Sequence, residues 1–216
     1  MSHQKYQPNT KELDYIAAMS RRNVVDAYKK WEAISHAEHI CIDEAFYAGC
    51  KVLDLGCGAG RFAKLLGDKA GVYLGVDVSA EMIDAAKEKY PELKFVQSDI
   101  INFRTDDDSW DLILLMGNVI DGLQPRSRRR LLLEQCKNWL KNDGKIIGSS
   151  HLTKNGQCAG FYEEDYHGAV IENYRGSLID HISEIEECGF EIVLCCRDYR
   201  FQPADWCYWL AQKAIV

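Results

Sequence analysis

The chain has 216 residues and a formal net charge of −7, from 26 Lys and Arg against 33 Asp and Glu, and 47% of its residues are hydrophobic. That is the composition of an ordinary globule, long enough for one sizeable core, and it predicts a single domain over residues 1–216. The acidic balance excludes the broad basic footprint of a nucleic-acid binder, no stretch reaches the roughly 18 apolar residues of a membrane helix, and the opening Met1–Lys5 carries no apolar signal region, which points to a cytoplasmic protein.

From Thr10 to Trp31 apolar residues recur at helical spacing (Leu13, Ile16, Ala17, Val24, Ala27, Tyr28), and a second helix is expected from Ser35 to Tyr47. Val52–Leu55 then reads as a short apolar strand that runs into the turn Gly56-Cys57-Gly58-Ala59-Gly60 and a helix over Arg61–Leu66. Glycine lacks a Cβ, so the backbone can bend sharply and a ligand can come close. A following helix would turn free N–H groups and a positive dipole end towards an anion. The spacing is G-x-G-x-G, one residue short of the dinucleotide fingerprint G-x-G-x-x-G.

Strand and helix patterns alternate from there. Gly71–Asp77 is a strand ending in an acid, and Ser79 caps a helix that Pro91 stops after Tyr90. Leu93–Asp99 is a third strand with a terminal acid, and Trp110–Met116 a fourth. Pro125 opens a helix through Leu140, with Leu131, Leu132, Leu133, Cys136 and Leu140 expected inward. Its cluster Arg126, Arg128, Arg129 and Arg130 reads as a solvated face. A fifth strand follows in Leu140–Gly148 and ends in Ser149-Ser150-His151. Alternation of this kind gives a parallel sheet with right-handed crossovers, and ligands bind at the carboxyl ends of its strands.

The last third departs from that rhythm. Residues 151–176 are rich in aromatics (Phe161, Tyr162, Tyr166, Tyr174), and His167-Gly168 separates two runs that could pair as a hairpin. Ser177–Asp180 is a capping box opening a helix with Ile179, Ile182 and Ile185 as its buried stripe and Gly189 at its end. Strands are expected over Glu191–Tyr199 and Trp206–Ala214, joined by a loop over Asp198–Asp205. The nine cysteines include no C-x-x-C pair and read as reduced thiols, with Cys195 and Cys196 on opposite faces of their strand. The six histidines lack metal-ligand spacing, so no metal is expected.

The glycine-rich segment Val52–Arg61, the acids Asp77 and Asp99, the strand Trp110–Met116 and the segment Leu140–Gly148 occur in the order found in the class I S-adenosylmethionine (SAM) methyltransferases, which the chain resembles over residues 50–150. Asn142 stands where that family more often has proline. The resemblance implies an α/β, doubly wound, Rossmann-like seven-stranded sheet with an antiparallel last strand, an N-terminal helical cap over residues 1–48 and a substrate-side insertion over 151–176. It also implies SAM as cofactor and S-adenosylhomocysteine as product. Gly56, Gly58 and Gly60 would admit the methionine tail, with Asp54 towards its amino group. Asp77 would accept from the ribose hydroxyls and Asp99 from the adenine amino group. Val78 and Met82 would sandwich adenine with Ile100 opposite, Met116 would stand at the end of the fourth strand, and Tyr28 and Trp31 would reach the cleft from the cap.

For chemistry, His151 is the candidate general base or substrate-orienting group, because imidazole titrates near neutrality. Asn118 and Asp121 are the candidates beside it, and Tyr162, Tyr174 and Trp206 are candidates for the acceptor pocket. The leading expectation is methyl transfer to an N or O atom of a small-molecule metabolite or natural product, by a monomer or homodimer. Methylation of RNA or protein, a non-catalytic SAM-binding role and an NAD-dependent oxidoreductase are the alternatives.

Overall fold

The computed structural model describes residues 7–154, 156–197 and 205–214; the expected loop over Asp198–Asp205 lies outside these except for its last residue. Five parallel strands form the centre of the sheet: β1 (Lys51–Leu55), β2 (Val72–Asp77), β3 (Lys94–Gln97), β4 (Trp110–Leu115) and β5 (Leu140–Leu152). Their order is β3-β2-β1-β4-β5, the doubly wound arrangement in which β1 and β4 part at a switch point. Helices α4 (Ala63–Leu66), α5 (Ala80–Lys89) and α6 (Arg126–Trp139) make the crossovers.

Among the described residues the sheet has nine strands rather than the expected seven. Seven of them are accounted for by the family pattern: β9 (Trp206–Lys213) runs antiparallel to β5 and β8 (Phe190–Arg197) pairs antiparallel with β9. The other two come from the insertion. β6 (Gly160–Tyr166) and β7 (Ala169–Gly176) form a hairpin turning at His167-Gly168, where both φ angles are positive, +52° and +78°. β5 extends past the last β4 pairing at Gly148, and there His151 and Leu152 pair in parallel with Arg175 and Gly176. The surplus length of β5 would otherwise present unpaired N–H and C=O groups, and the hairpin takes them up.

The expected helix over Thr10–Trp31 is two: α1 (Thr10–Met19) and α2 (Arg22–Lys30). Asn9 and Glu12 close a capping box at the start of α1. At the break Arg21 takes extended backbone angles, φ −67° and ψ 139°. The redirected chain sends Arg21 Nη1 to the Gly168 carbonyl at 3.0 Å and Asn23 Nδ2 to the His167 carbonyl at 2.7 Å. Helix α3 (His36–Ala45) begins with a second capping box, Ser35 with Glu38.

Two apolar layers sandwich the sheet. One joins Leu53, Leu55, Ile113 and Leu115 to Leu132, Leu133, Cys136 and Ile185. The other joins Val52, Leu112, Leu114 and Ile147 to Cys41, Ile42, Leu66, Ile83 and Ala86. All nine cysteines are free thiols. Cys195 and Cys196 pack into opposite layers, as strand alternation requires.

Three expectations about helix faces are corrected. In α7 (Leu178–Glu187) Ile179 is 74% exposed and Ile182 only half-buried; the inward residues are His181, Glu184 and Ile185. In α6 Leu131 is exposed, while Arg128 and Arg129 of the supposed solvated face are buried. The α7 shift and the burial of Arg129 have one cause. Glu184 of α7 accepts from Arg129 Nη2 at 2.6 Å and from Arg126 Nε at 2.9 Å, so the two helices meet along a charged seam rather than along the isoleucine stripe. Arg129 also stacks on Tyr174, 3.6 Å from the ring centroid, and Arg130 pairs with Glu187.

Candidate active site

At the carboxyl ends of β1, β2 and β4 the structure holds a cavity of about 880 Å³, counting its open mouth. This is the size range of small-molecule and cofactor sites. Its floor is the glycine turn: Gly56, Gly58, Asp77, Val78, Met82, Asp99, Ile100 and Met116 all line it, and Tyr28 closes one side. Nine of the residues singled out from the sequence thus meet around one space.

The glycines act by conformation and room. Gly56 and Gly58 have φ of +75° and +51°, and a Cβ would come 2.2 Å from Val119 Cγ2 at Gly56 and 3.2 Å from the Tyr28 ring at Gly58. They are not spare donors. The N–H groups of Gly56, Gly58 and Gly60 already bond to Val76 O at 2.7 Å, Asp77 Oδ2 at 2.9 Å and Cys57 O at 3.0 Å. The helix after the turn is also shorter than expected, a single turn over Ala63–Leu66, so its dipole offers little to an anion.

Asp77 is fixed by two backbone donors, Gly58 N–H on Oδ2 at 2.9 Å and Ser79 N–H on Oδ1 at 2.9 Å. Burial pushes its carboxyl up and those N–H bonds oppose the rise. Each oxygen keeps a further lone pair for a ligand hydroxyl. Asp99 is raised by burial, against N–H bonds from Ile101 and Asn102. It accepts Ile101 N–H at 2.8 Å and lies 3.5 Å from Arg128 Nη2. The glycine turn, which a Cβ would fill, and Asp77, held with lone pairs to spare, fit a cofactor with a ribose diol.

Several cavity residues were not singled out as site residues from the sequence. Helix α1 supplies the roof through Glu12, Tyr15, Ile16 and Met19, and Arg128 of α6 pairs with Glu12 there. The capping box Asn9-x-x-Glu12 and the one-face spacing of residues 12, 16 and 19 were the available signals. Nothing local marks Arg128, whose partners come from α1 and from the end of β3.

Other candidates lie outside the cavity wall. Asp54 sits beneath the floor, where it accepts the Tyr73 hydroxyl at 2.5 Å. Burial raises its carboxyl to about 7, against the Tyr73 bond and the charge of Arg61. Gly60 faces the ring of Tyr90. Trp31 packs edge-on to Tyr28 and lies under the Arg61 guanidinium, 4.2 Å from its centroid. His151, Asn118 and Asp121 form a buried cluster behind the stretch Gly117–Gly122. His151 Nδ1 is 3.0 Å from Asp121 Oδ2, which also accepts the His151 backbone N–H at 2.6 Å, and Nε2 is 3.2 Å from Asn118 Nδ2. Glu164 stands 3.8 Å beyond Nε2 and pairs with Arg175. Its carboxyl is held low although burial pushes it up, because His151 and Arg175 outweigh the burial. Trp206 meets the imidazole edge-on, 5.6 Å between centroids. Of the remaining acceptor-pocket candidates, Tyr174 lies under Arg129, and Tyr162 donates to the Cys158 carbonyl at 2.8 Å.

Residues 52–144 match the family of methyltransferase domains. The matched segment runs from β1 into β5, less than half of the chain, and over it the chain is similar to the SAM-dependent methyltransferases. A demethylmenaquinone methyltransferase of Thermotoga maritima is 34% identical over 99 residues, which are 45% of this chain and 42% of that protein. A trans-aconitate 2-methyltransferase of Rhodopseudomonas palustris is 34% identical over 61 residues, 27% of this chain and 24% of that one. The chain thus spans less than half the length of these curated relatives. Among solved structures, the 1,6-didemethyltoxoflavin-N1-methyltransferase of Burkholderia thailandensis superposes with a TM-score of 0.76 over 98% of this chain and 94% of that one, at 16% identity, a likeness of fold. Among the described residues no cluster of His, Cys, Asp or Glu could hold a metal ion, and no helix is long and apolar enough to cross a membrane.

Proposed function

We propose that the chain transfers the methyl group of SAM to a nitrogen or oxygen of a small molecule. The observation that carries this is the single cavity at the strand ends that gathers the glycine turn, Asp77 and Asp99 under the roof of α1. In this reading Asp77 accepts from both ribose hydroxyls and Asp99 from the adenine amino group. Val78, Met82 and Ile100 flank the adenine, and Met116, Gly56 and Gly58 border the sulfur end. Gly60 and Trp31 support the site from outside its wall, and so does Asp54, which accepts the Tyr73 hydroxyl beneath the floor.

When bound, SAM supplies a methyl on a cationic sulfur that departs as the neutral thioether of S-adenosylhomocysteine, so the protein need not protonate a leaving group. Transfer of that methyl to the acceptor atom would return the carbon–sulfur electron pair to sulfur, and a proton on the acceptor would be released with the methylated product. What remains for the protein is to hold the acceptor near, in line and dry. The roof residues Tyr15, Ile16 and Met19 exclude water over the donor. His151 acts here as a positioning residue. Together with Asp121 and the bond from Asn118 N–H to Ser149 Oγ (2.9 Å), it ties the wall Gly117–Gly122 to the end of β5.

The curated relatives that match named acceptors, demethylmenaquinone and trans-aconitate, support a small-molecule acceptor, and the net charge of −7 weighs against RNA. The expected cytoplasmic location, the absence of a metal requirement and the monomeric or homodimeric state belong to the same proposal. The test is transfer of labelled methyl from SAM into separated pools of metabolites, RNA and protein. Label in the metabolite pool alone supports the reading. Label in RNA or protein overturns the acceptor, and SAM binding without turnover overturns the catalysis.

A further inference from the structure

A second hollow adjoins the first. Ala27, Tyr28, Trp31, Tyr166 and His167 line it, and it encloses about 530 Å³ counting its open side. Tyr28 belongs to both spaces, so the two cavities meet at a single side chain. The proposed methyl transfer leaves this hollow without a task.

The hollow is built rather than incidental. Its walls come from α2 and from the tip of the β6–β7 hairpin, segments nearly 140 residues apart that are stapled in place. Asn23 and Arg21 bond the carbonyls of His167 and Gly168. Tyr166 donates its hydroxyl to Tyr28 Oη at 3.0 Å, a bond between residues separated by 138 positions. The break between α1 and α2, which no helix-breaking residue explains, is what brings Arg21 and Asn23 to the hairpin tip.

Its chemistry is selective. Trp31 and Tyr28 meet edge to face at 5.6 Å, Tyr28 and Tyr166 tilt together at 6.2 Å, and His167 stands edge-on to Tyr166 at 4.8 Å. Among the described residues no carboxylate lines the space, so a cation would meet ring faces alone. One guanidinium, Arg61, already covers a face of Trp31 at 4.2 Å, which discourages a second positive charge on that ring. No Lys or Arg lines the space either, so a polycarboxylate finds no partner. Aromatic rings set edge-on and tilted favour an uncharged planar ring, stacked against one and edge-on to another. The Tyr28–Tyr166 hydroxyl pair gives such a ring a polar handle, and Tyr28 is the residue shared with the donor cavity.

We propose that this hollow is the acceptor subsite and that it takes an uncharged planar aromatic or heteroaromatic ring, its substituent directed past Tyr28 towards the donor. The proposal rests on the methyl-transfer reading above. It concerns the ring's place, so binding alone tests it.

The experiment titrates catechol, 2,3-dihydroxynaphthalene, choline and citrate into the full chain saturated with S-adenosylhomocysteine, followed by ligand-observed NMR and calorimetry. The dihydroxynaphthalene is expected to bind more tightly than catechol, and choline and citrate to bind at least tenfold more weakly than either. Trp31→Ala and Tyr166→Leu are each expected to weaken the ring probes tenfold or more, and His167→Ala, an exposed position, to weaken them measurably. S-adenosylhomocysteine affinity, read in the same samples, reports whether Tyr166→Leu and His167→Ala still fold and load, because neither residue lines the donor cavity; for Trp31→Ala, which packs on the cavity residue Tyr28, folding is read by thermal denaturation. Preference for choline or citrate overturns the proposal. So does absence of ring binding at millimolar concentration, or ring binding indifferent to all three variants. Failure of S-adenosylhomocysteine to bind the unaltered chain would instead overturn the methyl-transfer reading, and the ring titration would then be read without it.

Discussion

Replacing Glu38 with Gln removes one charge from the contact that ties the helical cap to the glycine turn. Arg61 lies immediately after that turn. Its Nη2 and Nη1 reach Glu38 Oε1 at 2.7 Å and Oε2 at 3.0 Å, and Nη1 also bonds the Ala33 carbonyl at 3.0 Å. Trp31 and Phe62 cover the guanidinium at 4.2 and 4.4 Å, and the Arg61 and Glu38 side chains are 8% and 2% exposed. Glutamine keeps the shape and can still accept the Ser35 N–H that closes the capping box at 2.7 Å. What it loses is the counter-charge of a guanidinium that water cannot reach. Breaking a buried pair from one side costs about 3–5 kcal/mol, much of it the stranded charge. For a chain of this length each kcal/mol moves the melting point by roughly 2–4 °C, so a fall of about 6–20 °C is expected. Urea denaturation of Glu38→Gln, Arg61→Met and the double variant measures this. The double variant should lose less than the sum of the two, because it leaves no unpaired charge. A loss below about 1 kcal/mol for Glu38→Gln, the scale of an exposed pair, would refute the reasoning.

Two further outcomes follow from the floor of the site. Burial raises the Asp54 carboxyl to about 7 in the folded chain, against the Tyr73 bond and Arg61, whereas the unfolded value is about 4. The folded state therefore binds the extra proton between those values and loses stability as pH rises through that window. Asp54→Asn removes the titration, so its stability relative to the unaltered chain should climb between about pH 4 and pH 7, by at most roughly 4 kcal/mol. Denaturation at pH 5 and pH 8 reads the difference, and a constant gap would contradict it. Gly56→Ala meets both a positive φ and Val119 Cγ2 at 2.2 Å, whereas Gly117→Ala meets a positive φ and no atom within 4 Å. The first should cost about 1–3 kcal/mol more than the second, the usual range for overpacking, and should weaken SAM binding tenfold or more by pushing Val119 into the cavity. Equal effects would show that backbone conformation alone matters at Gly56.

The order and direction of the central strands are legible in the sequence because each strand is a short apolar run ending in a residue of distinct chemistry. Gly56, Asp77 and Asp99 fall at the strand ends for that reason, and the register of a parallel sheet then brings them together. The roof over them is not legible. Helix α1 meets α2 at a bend at Ser20-Arg21, and the residues that follow the bend bond carbonyls of the hairpin tip nearly 150 residues away. Arg128 and Arg129 read as surface for the same reason: their partners Glu12, Asp99 and Glu184 lie on elements distant in the chain. The isoleucine stripe of α7 misled because periodicity finds an apolar face without finding its partner. Glu184 and two arginines won the interface instead. The hairpin turn at His167-Gly168 was legible, but its joining of the main sheet depends on the length of β5, which extends to Leu152.

The central claim is that the cavity under α1 takes SAM through Asp77, and calorimetric titration of the full chain with SAM, run beside NAD, tests it most directly. The account predicts micromolar SAM binding, no comparable NAD binding, and loss of the SAM signal in a folded Asp77→Ala variant. NAD binding as tight as SAM, or SAM binding that survives Asp77→Ala unchanged, would contradict it.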